Sequence, residues 1–372
     1  MTNSTIVLRS YKPYRPFTNI QESGITMEDL PNNELTYEKK HELNLGFDAG
    51  FLANRINFSF DWYKRNNYDL IGVIQTAGVG GQIKKLANVA SMKSHGVEFT
   101  LTTKNIRTNN FSWDTNLIFS YAKNKVTSLQ SNAQILDVVT GSGFALEGYP
   151  VRSLFSFDFK GLNSDGLPMI VNQDGKVTVN GGDINFQSQQ LGNLVYEGPT
   201  DPTTTGSFGN IFTYKNFRLN FFITYSFGNV IRLDPVFSNS YSDIDALPRE
   251  FRNRWVQAGD EKKTNVPVIL TKRQSDLDSY YEALYNAYNY STERIAKGDF
   301  IRMKEISLDY NFPKSVISKL KLSNLSLKLQ ATNLFLIYSD SKLNGADPEF
   351  YRSGGVASPM PKQFTLTVRL GI

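Results

Sequence analysis

The sequence lacks the residues on which most metal and redox chemistry depends. Its 372 residues include no cysteine and only two histidines, His41 and His95. The chain can therefore form no disulfide and no thiolate metal site, and it has too few histidines for ordinary zinc chemistry. It also contains no nucleophile elbow, phosphate-binding loop or histidine-containing triad. We predict no catalytic residues, no cofactor and no metal site, and an enzyme is the least favoured class.

An excess of charge and long apolar runs are also missing. The 40 basic residues nearly match the 35 acidic ones, and the net charge of +5 gives nucleic-acid binding no support. Residues Met1–Pro13 lack the basic start, apolar stretch and cleavage site of a secretory signal. No run reaches the roughly 18 apolar residues of a membrane-spanning helix. These absences are typical of a soluble cytoplasmic protein, provided that the sequence is a whole gene product and that only helices cross membranes.

Aromatic residues, by contrast, are abundant, with 26 Phe, 19 Tyr and 3 Trp. Many lie where apolar and polar residues alternate, which is the pattern of a strand with two different faces. The alternation predicts nine strands, at Leu43–Phe51, Ile56–Trp62, Val97–Leu101, Phe111–Phe119, Phe208–Tyr214, Leu219–Phe227, Ile306–Phe312, Leu325–Ala331 and Phe364–Ile372. A soluble β-sandwich and an outer-membrane β-barrel both contain such strands, and alternation alone favours the sandwich.

The lengths of the connections change that balance. Short links are predicted at Leu52–Arg55, Asn105–Asn110 and Lys215–Phe217, and long polar loops at Gly72–Ser94, Ala122–Thr205, Gly228–Asp299 and Ser339–Lys362. Short turns at one end of a sheet and long loops at the other are typical of a transmembrane barrel. Greek-key sandwiches do not alternate so regularly. The sequence therefore predicts an all-β, antiparallel transmembrane barrel.

The number of predicted strands carries a further expectation. The first strand and the last must both run toward the short-turn side, so the number is odd: nine, or eleven if Tyr149–Val179 contributes a pair. Bacterial single-chain barrels have even strand numbers. We therefore expect the chain to be the C-terminal part of a larger barrel.

Several segments carry a family resemblance, in their order and approximate spacing. They are Glu42–Asp48 (ELNLGFD), Ser94–Glu98 (SHGVE), Arg254–Trp255, Lys297–Tyr310 (KGDFIRMKEISLDY), Asn333–Phe335 (NLF) and Gly345–Glu349 (GADPE). With Leu30–Glu38, the matches extend over nearly the whole chain, from Leu30 to Ile372. In these segments the sequence resembles the SusC/RagA-type TonB-dependent outer-membrane transporters of Bacteroidota.

The resemblance implies a plugged barrel of roughly 22 strands in the complete transporter. It implies nutrient uptake, as import of oligosaccharides or peptides, a SusD-like surface lipoprotein as a lid, and energy from the TonB–ExbB–ExbD complex. Residues 1–40 would be an extracellular loop or lead-in, and residues 41–372 the C-terminal strands and loops. The plug domain and TonB box would be absent, so we expect no transport by this segment alone. The alternatives are a soluble carbohydrate-binding or adhesin-like β protein, and a truncated gene product without function.

Aromatic side chains are the candidate contact residues. Trp62, Tyr63, Tyr121 and Tyr338 lie near predicted strand ends, where Trp and Tyr form girdles at the membrane interface. In the long loops, Trp255, Tyr280, Tyr281, Tyr285, Tyr288 and Tyr290 are candidate contacts to a ligand or to the lid. Packing inside a large folded loop is an equally good explanation of the Tyr280–Tyr290 run. For Asp299, Asp347 and Glu349 we predict loop ordering, through turns and ion pairs with neighbours such as Arg302.

Overall fold

The structure, a computed structural model, describes residues 9–13, 23–27, 34–75, 84–130, 132–140, 143–236, 249–271, 280–319, 321–351 and 361–372. The strands are β1 (Arg9–Pro13), β2 (Ser23–Met27), β3 (Lys39–Phe51), β4 (Ile56–Gln75), β5 (Lys84–Arg107), β6 (Phe111–Leu129), β7 (Ser153–Ser156), β8 (Phe159–Leu162), β9 (Pro168–Val171), β10 (Val177–Thr178), β11 (Val195–Pro199), β12 (Thr204–Tyr214), β13 (Phe217–Phe227), β14 (Val230–Arg232), β15 (Ile295–Lys297), β16 (Phe300–Asn311), β17 (Asn324–Ser339) and β18 (Gln363–Gly371). The α-helices are α1 (Ile135–Val139), α2 (Tyr280–Asn289) and α3 (Lys314–Ile317). Among the described residues, no helix is long and apolar enough to cross a membrane.

Nine strands form one large antiparallel sheet, in the order β18-β17-β16-β13-β12-β6-β5-β4-β3. This confirms the nine strands that the alternation predicts. The segment Tyr149–Val179 adds no strand to this sheet, since β7 pairs with β11 and β8, β9 and β10 form a small sheet of their own. All four residues of β7 are buried. A strand of a barrel wall instead alternates between two environments, lipid and lumen.

The register places most of the apolar residues of the nine strands on one face. One row of partnered residues crosses β3, β4, β5 and β6 through Phe47, Phe60, Phe99 and Phe119. A second row crosses β13, β16, β17 and β18 through Leu219, Leu308, Leu329 and Leu366. On β13 the face runs from Phe217 to Phe227 with an apolar side chain at every second position. Ten steps of about 3.3 Å make roughly 33 Å along the strand, or about 25 Å of height at a tilt of about 40°. That is the height of the apolar band of an outer-membrane barrel.

Several strands are longer than a membrane crossing requires, and β4, β5 and β6 exceed it most. A transmembrane strand needs about 9–11 residues, yet β4 has 20 residues, β5 has 24 and β6 has 19. The predicted loop Gly72–Ser94 is therefore wrong, because β4 and β5 stay paired from Leu70↔Ala90 to Gln75↔Lys84. The next loop begins after Leu129 instead of at Ala122. Beyond Trp62, β4 continues through the polar run Lys64–Asn67, which carries no alternation by which the sequence could reveal a strand.

The long connections pack into a compact unit with its own hydrophobic core. We call residues 132–140, 143–203, 228–236, 249–271 and 280–299 the loop unit. Its core joins α1, β7 and β9 to α2 through Val138, Val139, Phe157, Ile170 and Leu284, all of which are almost fully buried. The helix α2 contributes a stripe of side chains at helical spacing, so one side of it faces this core.

Candidate functional site

The face of the sheet opposite the apolar band is polar. Rows of partnered residues on this face include Ser59–Thr100 on β4 and β5, and Ser207–Thr224–Arg302 on β12, β13 and β16. A soluble sandwich would bury one face against a second sheet, but large apolar side chains of β3 and β18 stay exposed here, with Leu45 58% and Leu366 61% exposed. The sheet therefore presents lipid-compatible residues on one side and hydrophilic residues on the other, as a barrel wall does.

A cavity that we call the rim cavity lies where this polar face meets the loop unit. It has a volume of about 850 Å³, which is within the range of small-molecule sites. Its lining on β12 and β13 carries the hydroxyl side chains Thr205, Ser207, Thr224 and Ser226. Arg152, Asn229, Arg232, Phe300, Lys304, Glu349 and Tyr351 are also among its lining residues. A cavity with many hydroxyl groups, a few charges and aromatic rings suits a hydrophilic ligand.

A buried ion-pair cluster holds one wall of the cavity in place. Arg302 on β16 is almost fully buried; its Nη2 lies 2.5 Å from Oδ1 of Asp347, and its Nε lies 3.2 Å from Oε2 of Glu349. Asp347 also accepts a hydrogen bond from the backbone N–H of Glu349 at 3.1 Å. These contacts attach the segment that carries Glu349 and Tyr351 to the sheet. The predicted loop-ordering role of Asp347 and Glu349 matches this geometry.

Asp299 has a comparable role at the rim. Its Oδ1 accepts a hydrogen bond from the backbone N–H of Gly228 at 2.7 Å. Gly228 has a φ of +87°, a conformation that a residue with a side chain rarely adopts. The contact therefore ties the tight turn after β13 to the start of β16, beside the cavity.

The ladder is interrupted at Lys304, another lining residue. In the pairing of β13 with β16, Phe222 is opposite Glu305 and Ile223 is opposite Met303, so Lys304 has no partner residue. The pairing of β16 with β17 skips Lys304 as well, between Met303 and Glu305. Lys304 is thus a bulge in both ladders. Bulges re-aim side chains and are common at barrel rims and beside active sites.

A buried acid lies in the loop unit close to one of these cationic residues. Glu197 on β11 is more than half buried, and this burial raises the pKa of its carboxyl above the usual value, against the lowering effects of a hydrogen bond with Ser156 and of the Arg232 charge. Arg232 is itself buried and donates hydrogen bonds to the carbonyl of Phe155 at 2.6 Å and to Oγ of Ser156 at 3.1 Å. The two charged groups join β11, β14 and β7 inside the loop unit.

The structure separates the tyrosines of the Tyr280–Tyr290 run. Tyr285 and Tyr288 are 2% and 0% exposed and lie in the hydrophobic core, and burial raises the pKa of Tyr288. For these two residues the packing explanation holds, because α2 turns them toward the core. Tyr280 is 56% exposed, and Tyr281 and Tyr290 are half-buried. None of these five tyrosines is among the lining residues of the rim cavity.

Trp255 packs inside the loop unit. Its ring lies against Gly166, which has a φ of +77° and where a Cβ atom would approach the indole to 2.5 Å. Its Nε1 donates a hydrogen bond to Glu261 at 3.2 Å. This tryptophan covers a tight turn, and its assignment as a contact to a ligand or lid stays a prediction.

The proposed girdle residues fall on two faces. Trp62 and Tyr121 lie in one row of the apolar face, both partnered with Val97, and Tyr338 is partnered with Ile301 on the same face. Tyr63 follows Trp62 and so lies on the polar face, opposite Gly96, with the guanidinium of Arg65 4.3 Å from its ring centre. Tyr63 therefore cannot belong to a lipid-facing girdle. Trp62, Tyr121 and Tyr338 lie on the face that such a girdle requires.

The sequence reading missed the residues that line the cavity. Its hydroxyl side chains lie at the polar positions of the predicted strands, and only the register identifies which of them are neighbours. Lys304 lies inside the segment KGDFIRMKEISLDY, and a bulge at this position leaves no reliable trace in an alternating pattern. A break between Phe300 and Ile306 in the apolar periodicity is the one signal that the sequence offers.

Comparison with known proteins agrees with this architecture. No family model matches the sequence. A TonB-dependent receptor of Formosa agariphila is 26% identical over 354 residues, covering 88% of this chain and 32% of that receptor. The TonB-dependent receptor SusC of Bacteroides thetaiotaomicron is 24% identical over 359 residues, covering 92% of this chain and 32% of SusC. The chain thus spans about a third of the length of these relatives.

Solved structures show the same fold. The RagAB peptide transporter superimposes with a TM-score of 0.75 at 21% sequence identity, over 99% of this chain and 39% of the matched chain. Its open-open state gives a TM-score of 0.75 at 20% identity. The nine-stranded sheet with its apolar and polar faces therefore shares its fold with part of the RagAB transporter chain. The chain is thus similar to TonB-dependent receptors, SusC among them, over about nine-tenths of its length, and it shares the fold of the matched RagAB chain.

Proposed function

We propose that this chain is the C-terminal barrel portion of a TonB-dependent importer of oligosaccharides or peptides. It supplies part of the lumen wall, the rim cavity and a large share of the extracellular loops. In this proposal residues 41–372 carry these elements and residues 1–40 are an extracellular loop or lead-in segment, whose last two residues already belong to β3. The chemistry is binding and gating, with no bond made or broken in the solute.

The observation that carries this proposal is the register of the nine-stranded sheet. Every strand contributes to one apolar face, and the opposite face leads up to a hydrophilic cavity below the loop unit. A wall of this kind separates lipid from a watery lumen. The rim cavity is where a solute arriving from outside would first meet the wall.

The partners follow from the same proposal. A SusD-like surface lipoprotein would cover the loop unit as a lid, and outer-membrane lipid would surround the apolar face. The TonB–ExbB–ExbD complex would act through a plug domain and a TonB box that are not part of residues 41–372. The structure named as a peptide transporter supports a peptide as the imported solute, and the oligosaccharide alternative rests on the resemblance in sequence.

Fractionation of the expressed chain tests the membrane proposal. The chain is expected in the outer membrane, extractable by detergent and aggregated in water, because its apolar face and the free edges of β3 and β18 would otherwise be exposed. A monomer that stays soluble without detergent and binds glycan would instead identify a carbohydrate-binding or adhesin-like protein.

Uptake tests the second half of the proposal. Cells that carry only these 372 residues are expected to show no energy-dependent import, since neither a seal nor a connection to TonB is provided. Energy-dependent uptake by such cells would contradict the proposal.

A further inference from the structure

We propose that the rim cavity recognises a carboxylate group on the imported solute, and that Lys304 is the residue that binds it. This inference rests on the proposed function, since it names the solute chemistry of the same cavity. The ligand class is an acidic oligosaccharide or an acidic peptide, which share the carboxylate.

The other charged groups that line the cavity have partners within the protein. Arg152 pairs with Asp201, at 3.0 Å between Nη1 and Oδ1. Glu349 is held by Arg302 at 3.2 Å. Arg232 is buried and bonded to the loop unit through Phe155 and Ser156.

Lys304 differs from these residues. It lines the cavity and is half-buried, and within the described part of the chain it has no hydrogen-bond or ion-pair partner. The nearest acid along the strand, Glu305, is directed elsewhere: its Oε1 lies 3.9 Å from Nζ of Lys328 and accepts a hydrogen bond from Asn220 at 3.4 Å. An ammonium group in a partly enclosed cavity, with no acid in contact, is an available site for an anion.

The backbone explains how the lysine comes to point there. In a regular strand, the side chain of Lys304 would point to the same face as Ile306 and Leu308, which is the apolar face. The double bulge leaves Lys304 out of both ladders and releases its side chain from the alternation. A second irregularity lies on the neighbouring strand, where Asn333 has a φ of +53°. Two adjacent strands are thus distorted at the level of this one side chain.

The surroundings of Lys304 fit a hydroxylated or amide-rich ligand that bears the carboxylate. The hydroxyl groups of Ser207 and Thr224 occupy partnered positions on the floor of the cavity, where each can donate or accept a hydrogen bond. Tyr351 on the opposite wall has its hydroxyl fixed by the backbone N–H of Asp234 at 2.8 Å. The cavity thus places Lys304 beside hydroxyl groups, and the other charged lining residues are engaged with groups of the protein.

The test is a binding measurement on the full chain in detergent micelles, by isothermal titration at low salt. Two acidic probes are used, an oligogalacturonate and a Glu-containing hexapeptide, each with a neutral counterpart, a malto-oligosaccharide of equal length and the Gln-containing hexapeptide. We expect one acidic probe to bind at least about tenfold more tightly than its neutral counterpart, and to weaken as salt screens the charge. Which of the two binds identifies the source of the carboxylate.

Two variants assign the effect to the residue. Lys304→Met is expected to remove the preference for the acidic probe, and Lys304→Arg to retain most of it. Lys125→Met is the matched control, because Lys125 is an exposed residue of β6 outside this cavity, and it should leave the preference unchanged. Heat-modifiable migration on gels verifies that each variant is folded.

The proposal is overturned if neither acidic probe is preferred, or if Lys304→Met binds the acidic probe as the unmodified chain does. The proposed membrane function fails by a different observation, namely a chain that stays monomeric in water without detergent. The two failures are therefore distinguishable in separate experiments.

Discussion

Arg302 and Asp347 are 45 residues apart in the chain and form an ion pair that is almost closed to solvent. The guanidinium and carboxylate side chains are 6% and 10% exposed, with 2.5 Å between Nη2 and Oδ1. One partner belongs to the barrel wall, on β16, and the other to the segment after β17. The pair thus connects the sheet to a loop that forms one wall of the rim cavity.

Removing this arginine should destabilise the loop more than removing an exposed one. Arg302→Met leaves Asp347 and Glu349 without their cation, and breaking a buried pair from one side costs about 3–5 kcal/mol. Faster proteolytic cleavage near residues 340–351 and a lower thermal midpoint would report this loss. Arg152→Met is the control, because its pair with Asp201 is about half exposed on both sides and should contribute no more than about 1 kcal/mol. Equal effects of the two variants would contradict the structural role of the buried pair.

The run of tyrosines on α2 predicts two different outcomes for similar substitutions. Tyr288→Ala removes a fully buried ring from the core of the loop unit, and such a change costs about 3–5 kcal/mol. Tyr280→Ala alters an exposed side chain and should change the free energy of unfolding by less than about 0.5 kcal/mol. Thermal unfolding of the folded variants measures both. If Tyr288→Ala were as stable as Tyr280→Ala, the packing explanation of this helix would be wrong.

Much of this architecture could be predicted from the alternating pattern, because each membrane strand faces two solvents and every second residue records which one. The strand pairs around Phe60 and Phe221 follow this rule closely. The pattern fails where a strand continues through consecutive polar residues, as in β4 beyond Trp62, and where both faces are buried, as in β7. It fails at Lys304 for a third reason, since a bulge depends on neighbouring strands far away in the sequence. The candidate cavity could not be predicted for the same reason.

The buried acid Glu197 predicts a pH dependence of the loop unit. Its burial raises the pKa of the folded form above the usual value of 4.5, so the folded form binds this proton more tightly than the unfolded form. The stabilising effect is complete below the unfolded-state pKa and is lost as pH rises through the raised folded-state pKa. Glu197→Gln should therefore be more stable than the unmodified chain at neutral pH, and the difference should shrink in acid. Denaturation at several pH values measures it, and a difference that grows in acid would contradict the assignment.

Phe221 and Phe222 are adjacent on β13 and lie on opposite faces of the sheet, so they test the assignment of the two faces within one strand. Phe221 is partnered with Asn210 and Ile306 in the middle of the apolar band, whereas Phe222 is partnered with Gly209 and Glu305 on the polar face. An arginine on the lipid face near the bilayer midplane costs about 2–4 kcal/mol, and a charge on the lumen side is tolerated. Phe221→Arg should therefore reduce the fraction of chain that inserts into the outer membrane, measured by protease protection and heat-modifiable migration, while Phe222→Arg inserts nearly as the unmodified chain does. The reverse order would mean that the polar face, and with it the rim cavity, points toward lipid.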